Sequence, residues 1–600
     1  MRRRTFLQQM GLGALGLAAR PIVSGRWFHG RRSQEADLVI YGAGAGGLCA
    51  AVQAARMGAE VVVIEPTTWI GGMLTAAGVS ALDGNKHGAG GGLVQTFRQR
   101  LADHYGSIDA LFTGWISLYC YEPHVGHRIL QEWVAPLDNL TILYETEATR
   151  YERIGRRARR ITVERAGGET GDVVADVFID ATEYGDGLAL ADVPYRLGRE
   201  SQAELGEPHA PPVPDREMQD LTYAATLVKQ PGADPRPVTD QDRAYWADFQ
   251  CSTQLDCPNP DPELLNHTIH SWEEFITYAA LPNDKVLLNW PHHANDFPVN
   301  VAFFEDRYYR RKHLKAAKLH TLQFINYMQH ALGHPEWQIA TDEYPAADHL
   351  PLIPYIRESR RMVNDRILVE QDVIPRNDHP RAPMIRNSIA VGDYFIDHHH
   401  SKAHLPPDRR IDEDYPDNAP FQVPASVFFP ANGDESFLVG EKSIAVSHIV
   451  NGCTRLQPVV MLMGQALGVI AAHATQQHRA PRDVDIDGVQ QTLIEAGCPL
   501  YIMYDVPAGD PLFAPVQHLA LRGVLQADDP TELQPDEPVP AEWVHRWTRR
   551  AELPADTIQQ ESGPLRTQNV DGALRDGLPD GGTVTRGDFV QALHQHLETS

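Results

Sequence analysis

DLVIYGAGAGGLCAAVQAARMGAEVVVIE, residues 37–65, contains a short β-branched run, a glycine cluster, an alanine-rich helical pattern and a second β-branched run. That order spells strand, tight turn, helix and parallel strand, the βαβ unit of dinucleotide-binding folds. Each glycine has a mechanical job. Gly42 makes the turn, Gly44 lets the backbone approach a pyrophosphate, and Gly47 lets the helix pack on the strand. The pyrophosphate would then rest on the helix N-terminus, where unpaired N–H groups and the positive dipole end meet its charge. Glu65 ends the second strand, placed to accept hydrogen bonds from ribose hydroxyls.

FAD and NAD share this fingerprint, so neighbouring segments must separate them. Downstream, PTTWIGGML (Pro66–Leu74) brings Gly71 and Gly72, which resemble the second glycine pair of FAD enzymes. The strand ADVFID ends at Asp180, and the turn after it carries Thr182 and Asp186. This resembles the segment by which two-dinucleotide-fold flavoproteins return to the adenosine end. A third piece, SFLVGEKSIAVSHIVNGCTRLQPVVMLMGQALGVIAAHA (Ser436–Ala474), holds Glu441, Pro458 and Gly464 and looks like the closing segment that holds isoalloxazine.

With CYEP (Cys120–Pro123), NWPHHAND (Asn289–Asp296), LPLIPYIRESRRMV (Leu350–Val363) and VGDYFIDHHH (Val391–His400), these pieces resemble the FAD-dependent oxidoreductase family, loosely related to fumarate reductase flavoproteins. The resemblance covers roughly residues 36–480. It implies an α/β fold: a Rossmann-like FAD-binding domain with a parallel sheet and β-meander, an inserted α+β substrate domain and a small helical C-terminal domain. The expected boundaries are 36–201 and 386–480 for the two parts of the FAD domain, 202–385 for the insertion, and 500–600 for the tail. Two positions depart from the family. Glu183 stands where many flavoproteins have glycine, and Glu441 where relatives often carry a basic residue. A carboxylate at 441 can accept from a ribityl hydroxyl but repels phosphate.

The flavin would be bound non-covalently and would supply the redox chemistry, with protein groups tuning it. Pro458 fits the first turn of the last helix, which is expected to start at about Gln457. Its N-terminus would stabilise negative charge on the reduced flavin. Arg455 and His448 flank that turn and are candidates to bind an anionic or carbonyl substrate. Asp397 and His399 match the family's D-x-H, with His399 the first candidate for acid or base. Asp397, His398, His399, His400 and His404 also invite a metal reading, but a flavoenzyme needs no metal and none is expected. Arg357, Glu358, Arg360 and Arg361 read as an internal ion-pair network before a substrate clamp.

The N-terminus reads as an address. MRRRTFLQ followed by the weakly apolar MGLGALGLAA resembles a twin-arginine export signal, with residues 1–33 as signal and linker. A periplasmic or extracellular location is the expectation. The rest of the composition excludes other classes. With 53 basic against 79 acidic residues the net charge is −26, which offers nucleic acid no counter-surface. No apolar run reaches the length of a membrane span. The six cysteines are too dispersed for a disulfide framework, and Cys251 with Cys257 form the one plausible pair. The run Arg156–Arg160 reads as a solvated hairpin face. Pieces after Cys498, such as PDEPVPAEWVHRW and VTRGDFVQAL, look like degenerate S-layer homology repeats, so wall association is weighed against a helical domain packed on the enzyme. The functional expectation is hydride transfer between a small-molecule substrate and FAD, with an unidentified electron acceptor. A flavoprotein with a binding role and a lyase using flavin structurally are the alternatives.

Overall fold

The computed structural model describes residues 33–599 apart from 84–89, 116–118, 155–157, 250–270, 290–293, 401–414, 416–418, 432–433 and 561. The segment expected to be an export signal, and Cys251, Cys257 and His404, lie outside the described residues. The central sheet has seven strands: β1 (Ser33–Tyr41), β2 (Val61–Glu65), β3 (Leu140–Tyr144), β4 (Thr146–Ile154), β5 (Ala158–Arg165), β6 (Thr170–Asp180) and β7 (Phe437–Val439). Their order is β3-β2-β1-β6-β5-β4, with β7 also on β6. All five residues of β2 are buried, as expected of a parallel strand covered on both faces.

β6 does two jobs. Its first half, Thr170–Ala175, pairs antiparallel with β5 and makes the meander; its last three residues, Phe178–Asp180, pair parallel with β7. From Asp172 onward it runs parallel to β1, from Ser33 opposite Asp172 to Tyr41 opposite Asp180. The carboxyl ends of β1, β2, β6 and β7 therefore converge at one edge. Ligands of open α/β sheets bind at such an edge.

α1 (Ala45–Arg56) follows the glycine turn, and two longer helices matter to the site: α2 (Arg307–His330) and, near the end of the core, α4 (Gln457–Gln476), preceded by the short α3 (His448–Thr454). α4 starts at Gln457 with Pro458 in its first turn. It crosses α1 backbone to backbone. A Cβ on Gly464 would lie 2.2 Å from the Gly46 carbonyl oxygen, and one on Gly468 would lie 2.5 Å from that of Ala50. Among the described residues α4 is the one helix long and apolar enough to cross a membrane, and it is buried in the core.

Within residues 202–385 a four-stranded antiparallel sheet (Ala280–Leu281, Lys285–Leu288, Ala225–Lys229, Trp337–Ile339) packs with α2 around Leu227, Phe275, Phe324 and Met328. After Cys498 come helices Phe513–Leu521, Ala541–Arg550 and Arg586–Thr599, and the buried Trp547, Leu565 and Phe589 of this region continue the main core. Arg381 ties this region to the body by donating to the carbonyls of Ile502, Asp529 and Pro530 and stacking 4.0 Å from the Tyr501 ring centroid. Of the run read as a solvated hairpin face, Arg156 and Arg157 lie outside the described residues and Arg160 is exposed, but Arg159 departs from it: it is 2% exposed and forks onto Asp434, just ahead of β7. Cross-strand burial overrides the basic run because β5 turns this residue inward. Cys49, Cys120, Cys453 and Cys498 are buried.

Candidate functional site

A cavity of about 260 Å³ opens at the converging strand ends. Gly42, Gly44, Glu65, Thr182 and Asp186 line it from the sheet side, and Arg307, Arg310 and Arg311 of α2 line it opposite. The glycines are required by contact as well as by conformation. Gly42 has φ +100° and would place a Cβ 2.2 Å from the Ala181 carbonyl oxygen; Gly47 would place one 2.1 Å from that of Gly42. Glu65 closes the loop on itself, its carboxylate accepting from the N–H groups of Ala43 (2.9 Å) and Thr67 (2.7 Å). Burial pushes its pKa up.

The acidic residues after β6 divide into builders and liners. Asp180 is fully buried and accepts from the Thr182 N–H and hydroxyl and from the Leu188 N–H, fixing the turn. Asp186 lines the cavity but is held by Arg310 (2.6 and 2.9 Å) and Arg360 (2.7 Å). Burial opposes its charge, yet these two guanidinium groups win and bring its pKa down to about 2. Arg310 also stacks 4.2 Å from the Tyr184 ring centroid. Arg310 was not legible as a site residue, because it sits in a basic stripe that reads as a solvated helix face.

Glu441 (φ +53°) reaches the N-terminus of α1, where its Oε1 accepts from the N–H groups of Gly46 (2.6 Å) and Gly47 (3.3 Å). A carboxylate therefore already holds part of the anion-binding helix end that the sequence assigns to pyrophosphate. Lys442 balances it from the side by pairing with Glu183. Glu441 Oε2 and Glu183 Oε1 are buried acceptors without a hydrogen-bond partner among the described residues. A Cβ on Gly44 would meet the first carboxylate at 2.6 Å, and one on Gly72 the second at 2.5 Å. Burial, set against Lys442, pushes Glu441 up to about 7. Glycine cradle, helix end, terminal acid and orphan acceptors suited to hydroxyl donors together fit a dinucleotide.

A second cluster lies where the segment Ile396–His400 runs against α3. His399 Nδ1 is 2.6 Å from Asp296 Oδ2, and its Nε2 is 3.5 Å from Asp397 Oδ2. Arg455, the last residue of α3's cap, donates to Asp397 Oδ2 (2.7 Å) and to the Tyr355 hydroxyl (2.5 Å). Arg357 pairs with Asp296 at 3.1 Å. Burial and the Arg357 charge disfavour protonated His399, but Asp296 and Asp397 outweigh them and raise its pKa. Asp296 and Tyr355 were missed in the sequence; they join through packing of distant loops. Arg357, Glu358, Arg360 and Arg361 are buried and paired with Asp296, His448, Asp186 and Glu200, an internal network.

His448 does not join His399. It faces Glu358 through Nδ1 (3.0 Å), with His398 and His400 packed beside it. Burial, helped by Arg361, brings His448 down to about 3, so it is neutral and a poor acid at physiological pH.

A sheet with these converging edges and a glycine cradle at the helix end fits a dinucleotide-binding protein. Residues 37–493 match the family described as FAD dependent oxidoreductase, and the chain belongs to it; FAD is its cofactor. A search of curated protein sequences finds no match. Among solved structures the chain is similar to L-proline dehydrogenase from P. horikoshii (19% identity, 26% of this chain and 24% of that one, TM-score 0.17). It is also similar to the OxyS anhydrotetracycline hydroxylase from Streptomyces rimosus (16%, 33% and 38%, 0.22) and to p-nitrophenol 4-monooxygenase PnpA from Pseudomonas putida DLL-E4 (11%, 44% and 68%, 0.24). The match spans about a quarter of the length of the first and under two fifths of the second.

Proposed function

We propose that this FAD-dependent oxidoreductase transfers a hydride between a small-molecule substrate and non-covalent FAD, with His399 exchanging the accompanying proton. When bound, the flavin supplies the two-electron chemistry. The reading rests on one observation: His399 is buried between Asp296 and Asp397, with Arg455 fixing Asp397 from the cap before α4. Asp296 holds Nδ1 and so orients the ring, and Nε2, 3.5 Å from Asp397, is the atom proposed to give or take the proton. Arg455 is committed to Asp397 and Tyr355, which makes it a positioning residue. Gly42, Gly44 and Gly47 would admit the dinucleotide, and Glu65 and Glu441 would accept from its hydroxyls.

A panel of hydroxy, amino and saturated acid small molecules added anaerobically should include one that bleaches the bound flavin, or an unsaturated one that reoxidises the reduced flavin. Turnover of any substrate without flavin reduction would defeat hydride transfer. Residues 202–385 are proposed to carry the substrate side of the cleft. Export through the twin-arginine route is also proposed, from Arg3 and Arg4. Arg3→Lys with Arg4→Lys should leave holoprotein in the cytoplasm, and undiminished export would refute the route.

A further inference from the structure

Three histidine rings meet in the interior beside the proton-holding cluster. We propose that His398, His400 and His448 form a binding site for one first-row divalent cation of the zinc type. Consecutive side chains of the segment Ile396–His400 alternate. His399 turns to Asp296, whereas His398 and His400 turn to the first residue of α3. One ring nitrogen from each of the three lies within 4.8 Å of the others, and all three residues are buried.

The hydrogen bonds set the lone pairs. Glu358 accepts from Nδ1–H of His448, so Nε2 of His448 carries a lone pair, and it has no partner among the described residues. A carboxylate behind a ligating imidazole is the arrangement that fixes tautomer and ring orientation in metal sites. His400 Nε2 is likewise buried without a partner. His398 donates from Nε2 to the Ile449 carbonyl at 3.1 Å, which leaves its lone pair on Nδ1, now 3.2 Å from the Tyr415 hydroxyl, whose hydrogen bond the ion would replace. Gly452 makes this possible, because a Cβ there would lie 2.6 Å from His398.

The ring spacing suits one ion. With metal–nitrogen bonds of about 2.0–2.1 Å and tetrahedral angles, three imidazole centroids stand about 5 Å apart. The centroids here are 4.6, 5.3 and 5.8 Å apart. Packing of ring edges alone would leave two buried nitrogens unsatisfied, which folded proteins avoid. Imidazole donors select zinc-like ions over calcium or magnesium, which prefer oxygen. The bound ion would clip the segment on either side of His399 to α3, so the site acts on His399 as a support.

The test uses the full-length, FAD-loaded protein, stripped with EDTA, equilibrated with zinc chloride and freed of excess by gel filtration. Elemental analysis should find one retained zinc per chain. His400→Gln and His448→Gln should each reduce retention at least tenfold, while His594→Gln, which breaks the His518–His594 pair of the tail, should leave it intact. Wild-type protein needs no variant for the second arm: zinc should raise its Tm by several degrees and EDTA should reverse the rise. Zinc retention equal in wild type and both variants, or absent in wild type with no Tm shift, would overturn the site.

Discussion

Glu441 places a negative group where a second negative group must come. Its carboxylate sits on the amides of Gly46 and Gly47, and its pKa is pushed up to about 7. Below that pH it is protonated and can share the helix end with pyrophosphate; above it, charge meets charge. FAD affinity should therefore weaken by up to about tenfold per pH unit above 7. Release of FAD fluorescence at pH 6, 7 and 8 measures this, and Glu441→Gln should flatten the profile. His399 titrates with the opposite consequence. Asp296 and Asp397 raise its pKa and so extend the charged ring to higher pH; oxidation of a substrate, which needs the neutral base, should accelerate as pH rises through the folded pKa. The same charge stabilises the fold below the ordinary histidine range, and that contribution is lost as pH rises through the folded pKa. In His399→Asn the inflection should vanish from flavin-reduction rates normalised to FAD content, with kcat falling about 100-fold. A retained inflection would assign the proton elsewhere.

At the scale of elements, the crossing of α1 and α4 depends on two glycines. Gly464→Val puts methyl groups into the Gly46 carbonyl, already 2.2 Å from a Cβ, and must push α4 away from the glycine turn. We expect a loss of about 1–3 kcal/mol or more in chemical denaturation, together with reduced FAD content. Unchanged FAD content in a destabilised protein would separate packing from cofactor binding. This crossing also shows what a sequence discloses. The βαβ unit and the start of α4 were legible because each is written in local signals: period, glycine spacing, a proline in the first turn. The partnership of His399 with Asp296, or of Arg159 with Asp434, joins residues separated by 103 and 275 positions, and nothing in either neighbourhood names the other. The setting of His448 was hidden for the same reason: proximity in sequence to Arg455 gives no sign that the first residue of α3 faces Glu358. Asp180 and Thr182 were legible as a motif, though Asp180 serves to build the turn.

For the whole molecule, the decisive feature is that β6 takes its last pairing partner from residues 437–439 while the glycine turn takes its helix partner from residues 457–476. A chain ended after residue 435 should lack β7, α3 and α4, and should be purified colourless, checked by absorbance near 450 nm; yellow protein would show that the first part holds FAD alone. The same feature sets a timetable. Gly47 and Gly464 are roughly 400 residues apart, and ribosomes add about 5–20 residues per second, so α1 waits on the order of 20–80 s for its partner. During that interval the alanine face of α1 has nothing to cover it, and flavin has only half a berth. Cofactor capture must then follow synthesis, so cells starved of riboflavin should accumulate full-length colourless chains that turn yellow when FAD is restored.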